Sequence, residues 1–194
     1  MLSSTPTLVL ASASPRRQDL LAGLGIPFIV RPSRIAEVHP PGPPASAVAA
    51  VALDKARAVA REWTDGAAIV LGADTEVVLD GRYLGKPNHA ADATRMLREL
   101  SGRTHEVVTG LALVEAPPGR EETTAVTTRV TMIAAGDDVI AAYVATGEPL
   151  DKAGAYAVQG IGGDLVARVD GCLTNVVGLP IETTRRLLER WGVV

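Results

Sequence analysis

Cysteine and aromatic residues are what this chain most lacks. A single cysteine, Cys172, has no partner for an internal disulfide. The histidines His39, His89 and His105 are scattered, and no Cys/His cluster has the spacing of a zinc site. Aromatics make up 3% of the 194 residues, which argues against a surface that stacks nucleobases. Apolar runs such as Ala45 to Leu53 stop far short of the ~20 residues of a membrane span. The opening Met-Leu-Ser-Ser-Thr-Pro has no basic segment ahead of its short apolar run, so no cleaved signal peptide is expected. Strong charge of either sign is missing too: 19 Lys+Arg against 22 Asp+Glu gives a formal net charge of −3. That balance disfavours broad binding to phosphate backbones, yet a local cluster of cations can still hold one small anion. These absences predict a cytoplasmic protein in a reducing compartment, with neither membrane nor nucleic acid as partner.

What is present is aliphatic. Hydrophobic residues reach 47%, so the core must be Ala, Val, Leu and Ile. The length suits one domain, or two tightly joined lobes. Thr7–Ala11 reads as a short buried strand, and Ser14-Pro15 opens a helix that Gly25 ends. Phe28–Arg31 reads as a second strand, and residues 39–44 (His-Pro-Pro-Gly-Pro-Pro) as a stiff loop. A long helix is expected from Ala45 to Glu62, then a central strand over Ala68–Gly72. Asp80-Gly81 predicts a two-residue hairpin between Thr75–Leu79 and Arg82–Leu84. A helix follows from about Asn88 to Gly102, and long strands near His105–Val114 and Thr123–Met132 flank Pro117-Pro118-Gly119. Asp137 is expected to cap a further helix, Leu165–Val169 to form a strand, and Ile181–Trp191 the last helix. The one weak lobe boundary is near Gly136. Irregular alternation with hairpins points to an α/β class with a mixed sheet.

Four segments can carry chemistry. Ser12-Ala13-Ser14-Pro15-Arg16-Arg17 joins a strand to a helix N-terminus, whose free N–H groups and positive dipole suit phosphate oxygens. Arginines there oppose the dipole; they are either solvated or aimed at an anion. Lys55 falls on the apolar stripe of Val48, Val51, Ala52 and Val59, so it either snorkels outward or points into a cleft. Asp74-Thr75 is placed just beyond the central strand, where open α/β sheets bind ligands. The hairpin register sets Leu79 opposite Arg82, Val77 opposite Leu84 and Thr75 opposite Lys86, returning Lys86 beside Asp74. That pair reads equally as a salt bridge or as a carboxylate for metal or water with a lysine for phosphate. Finally, Glu148 to Tyr156, with Lys152, runs into Gln159-Gly160, where an amide that both donates and accepts can read a base edge. Glu37 has no distinguishing feature alone.

Taken together, the segments resemble the Maf family of nucleoside triphosphate pyrophosphatases. The likeness begins at Leu10-Ala11-Ser12-Ala13-Ser14-Pro15-Arg16-Arg17 and continues through Asp54-Lys55-Ala56, Gly72-Ala73-Asp74-Thr75 and Leu84-Gly85-Lys86-Pro87. It runs on through Leu100 to His105, Glu148 to Tyr156, Gln159-Gly160 and Val177-Gly178-Leu179-Pro180, covering nearly the whole chain in order.

The resemblance implies one domain over residues 1–194 with an elongated, mixed twisted sheet, similar to inosine triphosphate pyrophosphatases, and a cleft between two lobes. It implies cleavage of a nucleoside triphosphate to its monophosphate and pyrophosphate with a divalent cation, usually Mg²⁺. By the same likeness Asp74 activates water or holds the metal with Glu37, and Lys55 and Lys86 complete the catalytic group. Ser12, Ser14, Arg16, Arg17, Thr75, Lys152 and Gln159 would bind substrate. The Tyr156-Ala157-Val158-Gln159-Gly160 segment looks like the branch acting on dTTP and UTP, since Gln159 stands where the 7-methyl-GTP branch has Glu. Ala157 departs from the more usual glycine, and the Pro40–Pro44 loop is richer in proline than expected. A homodimer is expected by resemblance, and a nucleotide-binding regulator of septum formation is the rival reading. An ordinary Asp, with a pKa near ~3.9, is a weak base for water and needs either a metal or burial.

Overall fold

The computed structural model describes residues 6–194, so the reading of a leaderless start falls largely outside the described residues. The elements are β1 (Thr7–Leu10), α1 (Pro15–Ala22), β2 (Phe28–Val30), α2 (Pro44–Glu62), β3 (Ala68–Leu79) and β4 (Arg82–Tyr83). There follow α3 (Ala90–Leu100), β5 (Thr104–Ala116), β6 (Glu121–Met132) and α4 (Asp137–Ala145). Three 3-10 turns, Glu148–Asp151, Ala153–Ala155 and Ile161–Leu165, lead to β7 (Val166–Asp170), α5 (Leu173–Val177) and α6 (Ile181–Arg190). The strands form a seven-stranded sheet in the order β2-β1-β3-β5-β6-β7, with β4 on β3. β1 pairs parallel with β2 and β3, whereas β4 on β3 and β7 on β6 are antiparallel, giving the mixed sheet expected. Among the described residues no helix is long and apolar enough to cross a membrane.

Local chemistry explains most element boundaries. Ser14 caps α1, its hydroxyl accepting from the Arg17 N–H at 3.4 Å, with Pro15 next. The helix stops at Ala22, before Gly25, where φ reaches +71°. His89, rather than Asn88, caps α3, its ring accepting from the Asp92 N–H at 3.1 Å. Asp137 is not a cap but lies in the first turn of α4, after Gly136. The Asp80-Gly81 turn gives the expected register, with Leu79 opposite Arg82 and the Leu84 N–H donating to the Val77 carbonyl at 2.9 Å. Pairing ends at Tyr83, and Gly85 turns the chain at φ +54°, so the ladder stops short of a Thr75–Lys86 pair.

The chain divides into two compact units. One holds residues 1–74, Thr109–Val126 and Gly178–Val194; the other holds Thr75–Val108 and Thr127–Val177. The expected boundary near Gly136 is therefore corrected. β3 and β5, strands of 12 and 13 residues, each serve one core and then the next, and the division also crosses β6 between Val126 and Thr127, so it cuts strands and not a linker.

The first unit buries both faces of its sheet. Leu8, Leu10, Ile69, Leu71 and Ala73 pack with Leu21 of α1 and Leu187 and Leu188 of α6. Val9, Ala68 and Val70 face the other way, against Ala52, Ala56 and Val59 of α2. The second unit has one core, built from Val77, Leu79, Met96, Leu97, Leu100, Ile140 and Tyr143 among others.

A second correction concerns Asp74. It does not follow a strand but sits within the 12-residue β3. Gly72, read as the strand's end, is instead where α2 lies on the sheet: a Cβ there would come within 2.1 Å of the Ala52 carbonyl oxygen. Gly110 of β5 does the same, its missing Cβ 2.4 Å from the Val48 carbonyl oxygen. The two glycines allow α2 to approach backbone to backbone.

Candidate functional site

That close approach sets the site of the first unit. Strand alternation places Asp74 on the same face as Gly72, towards α2. Lys55 lies three residues beyond Ala52, on the same side of its helix. Its Nζ donates to Asp74 Oδ1 at 2.8 Å and meets Glu37 Oε1, also at 2.8 Å. Lys55 is 6% exposed and Asp74 2%, so neither snorkels; the inward alternative for Lys55 holds. Glu37, whose side chain is 54% exposed, reaches in from the loop between β2 and α2. From the same loop His39 Nε2 lies 2.8 Å from Asp74 Oδ2.

Arg17 completes the charged group. Its Nη1 donates to Ser12 Oγ at 3.1 Å and its Nε to the Gly178 carbonyl at 2.9 Å. Ser12 Oγ also accepts from the Ser14 N–H at 3.3 Å, so the β1–α1 connection is folded around one buried hydroxyl. Arg16 lies beside it, half-buried. Burial lowers the Arg17 pKa, against the pull of the Asp74 and Glu37 carboxylates. Burial by itself raises the Asp74 pKa, but Lys55, with His39 and Arg17, outweighs it and holds the carboxyl below its ordinary value. The group therefore presents an ionised Asp74 with cations on two sides.

The remaining predicted residues lie in the second unit. Thr75, half-buried, follows Asp74 on β3. Lys86 is exposed after the hairpin, and the Gly85 carbonyl accepts from the Gly154 N–H at 2.8 Å, which fastens that segment to the turn after Lys152. Lys152 Nζ donates to the Glu148 carbonyl at 2.7 Å and to Asp151 Oδ1 at 2.6 Å. Gln159 is exposed on the segment that precedes the last 3-10 turn.

Sequence reasoning missed three groups. His39 was visible only as a histidine at the head of a proline-rich loop, and nothing in its spacing marks it as a neighbour of Asp74. Glu76, largely buried, stands two residues past Asp74 on the same face of β3, a period-two signal that was available. Tyr143 and Glu148 both bond the backbone around Gln159, a pairing that no spacing in the sequence marks.

The donor chemistry fits a hard divalent cation. One ligand atom each of His39, Asp74 and Glu76 lie within 4.8 Å of one another, whereas Glu37, expected to share the metal with Asp74, meets the Lys55 ammonium.

Comparison with known proteins agrees in length and order. A family model described as "Maf-like protein" matches residues 7–191. A curated protein of Moorella thermoacetica, named dTTP/UTP pyrophosphatase, is 59% identical over 187 residues, covering 96% of this chain and 95% of its own. One from Anaeromyxobacter sp. (strain Fw109-5), with the same name, is 53% identical over 190 residues, covering 95% and 89%. One from Desulfitobacterium hafniense, again so named, is 48% identical over 197 residues, covering 99% and 88%. Among solved structures, a HAM1 protein from Coxiella burnetii matches with a TM-score of 0.57 at 19% identity over 95% of this chain and 99% of that one, a likeness of fold.

Proposed function

The chain belongs to the Maf family, and from that membership we propose that it hydrolyses nucleoside triphosphates, dTTP and UTP foremost, to the monophosphate and pyrophosphate. The observation that carries this reading is 59% identity, across nearly the whole of both chains, to a protein named for that activity. One family model spanning residues 7–191 supports reading both units as a single catalytic domain.

In this reading water's oxygen bonds to the α-phosphorus, the bond from that phosphorus to the bridging oxygen breaks, and pyrophosphate leaves. Charge grows on the phosphate oxygens, and groups that meet that charge lower the barrier. Arg16 and Arg17 with Ser12 and Ser14 take phosphate oxygens at the β1–α1 connection, and Lys86 and Lys152 supply further cations. Lys55 keeps Asp74 ionised and fixed. A carboxyl held below its ordinary pKa is a poor lone base, so Asp74 serves best by orienting the water and holding a cation. Glu37 and Asp74, with His39 at hand, would hold Mg²⁺, which supplies an acidified water and neutralises phosphate charge. Thr75 and Gln159 take the nucleoside end, in keeping with a free cytoplasmic nucleotide as substrate.

The test is pyrophosphate release from a panel of triphosphates with Mg²⁺. Turnover highest with dTTP and UTP is expected. Faster turnover of 7-methyl-GTP or ITP overturns the base assignment. Tight calorimetric binding with no product overturns the enzyme reading in favour of a nucleotide-binding regulator.

A further inference from the structure

The segment around Gln159 is held from both ends by one pair of side chains. Tyr143, buried on α4, accepts from the Ala157 N–H through its hydroxyl at 3.2 Å. The same hydroxyl hydrogen-bonds the Glu148 carboxylate. That carboxylate accepts from the Gly162 N–H at 2.8 Å and the Ile161 N–H at 3.3 Å. Gln159 lies between the two tied ends and is exposed.

The glycines of the segment are shaped to this pair. A Cβ on Gly160, where φ is +94°, would lie 2.3 Å from Glu148 Oε1. A Cβ on Gly162 would lie 2.4 Å from the Tyr143 hydroxyl oxygen and 2.7 Å from the Ala157 carbonyl oxygen. Neither glycine can be replaced without moving the clasp or the segment. Burial raises the Tyr143 pKa, so the hydroxyl stays a donor. Burial works to raise the Glu148 pKa as well, but the Gly162 N–H, the Tyr143 hydroxyl and the Ile161 N–H together hold it below its ordinary value, so the carboxylate stays an acceptor.

We infer that Tyr143 and Glu148 are positioning residues for base selection, clasping residues 157–162 so that Gln159 meets the base in one fixed conformation. The inference rests on Gln159 reading the base. A side-chain amide discriminates between bases only if its donor and acceptor are fixed in direction; on a freely moving segment it would satisfy several base edges alike. Ala157, where the family more usually has glycine, supplies the N–H held by Tyr143.

Steady-state kcat and KM for dTTP and dCTP test this in the wild type, Gln159→Ala, Tyr143→Phe, Glu148→Gln and the Tyr143→Phe/Gln159→Ala double variant. Tyr143→Phe is expected to reduce the preference for dTTP over dCTP by ~2–10-fold, the range of one hydrogen bond, through KM with kcat nearly kept. Glu148→Gln retains one acceptor oxygen and is expected to lose part of the preference; it decides the matter should Tyr143→Phe fold poorly. The double variant is expected to lose no more preference than Gln159→Ala alone. Loss of preference in Gln159→Ala with none in either clasp variant overturns the clasp alone. Additive loss in the double variant also overturns it. An unchanged preference in Gln159→Ala overturns the reading of Gln159 and the inference with it.

Discussion

The first unit carries Arg17, Lys55 and Asp74 on regular elements, with Glu37 and His39 added from a loop; the second carries Lys152 and Gln159 among 3-10 turns and an exposed segment. Asp74 and Lys55 gain precision from a strand and a helix in backbone contact at Gly72. Gln159 gains it from hydrogen bonds to Tyr143 and Glu148. The difference teaches a division of labour: fixed charge belongs on elements that cannot move, and selection on a segment whose sequence can vary without disturbing a core.

The largest expected effect bears on that division directly. Asp74→Asn should lower kcat by ~10²–10⁴ for every nucleotide alike, with the fold and base preference kept. A changed dTTP-to-dCTP ratio in this variant would break the division.

Lys55→Met comes next. It leaves buried Asp74 without its ammonium partner, and breaking such a pair costs about 3–5 kcal/mol. Denaturant melts should show that loss, and Lys55→Arg should recover part of it. A variant as stable as the wild type would mean that the ion pair contributes nothing to holding β3 and α2 together.

Acid should separate the two units. His105, buried against the Tyr156 hydroxyl at 2.8 Å, is pushed down to about 4 by burial. The unfolded chain protonates this ring near pH ~6.5, whereas the folded chain resists until about pH 4, so the unfolded state binds more protons in between. Stability should therefore fall as pH drops through that window, by about 3 kcal/mol in all, and His105→Gln should flatten the fall. Asp74, with its lowered pKa, adds stability above its ordinary value near 3.8 that is lost only as pH falls further. Hydrogen exchange at pH 5 should show loosening at His105 and Tyr156 before Asp74.

The smallest effect sharpens the contact that sets the site. Gly72→Ala puts a methyl where the Ala52 carbonyl lies, an overpacking that costs ~1–3 kcal/mol. Pushing α2 away also moves Lys55 from Asp74, so kcat should fall more than stability alone accounts for. Equal kcat at reduced stability would detach the helix contact from the chemistry.

Much of this was legible before any coordinates. Ser14-Pro15 gave a helix start because capping is local, and Asp80-Gly81 gave a register because a two-residue turn leaves little choice. Spacing put Lys55 on the apolar stripe of its helix but left open whether it snorkels outward or points into a cleft, because the carboxylates that draw it inward come from other elements. Asp74 within a strand was not, since a glycine that ends a strand and one that admits a helix look alike in sequence. His39 and the Tyr143–Glu148 clasp were hidden because each depends on contacts that follow from the fold: His39 is 35 residues from its partner, and the clasp joins a helix to two places in a loop.

Four prolines occupy residues 40–44, running from His39 into the first turn of the helix that bears Lys55. Each restricts the unfolded chain as much as the folded one, a difference of ~0.4–1 kcal/mol where the native backbone suits it. The loop that presents Glu37 and His39 thus surrenders little freedom when it takes its place. Stiffness written into the covalent chain keeps those two side chains at their stations where a glycine-rich loop would let them wander.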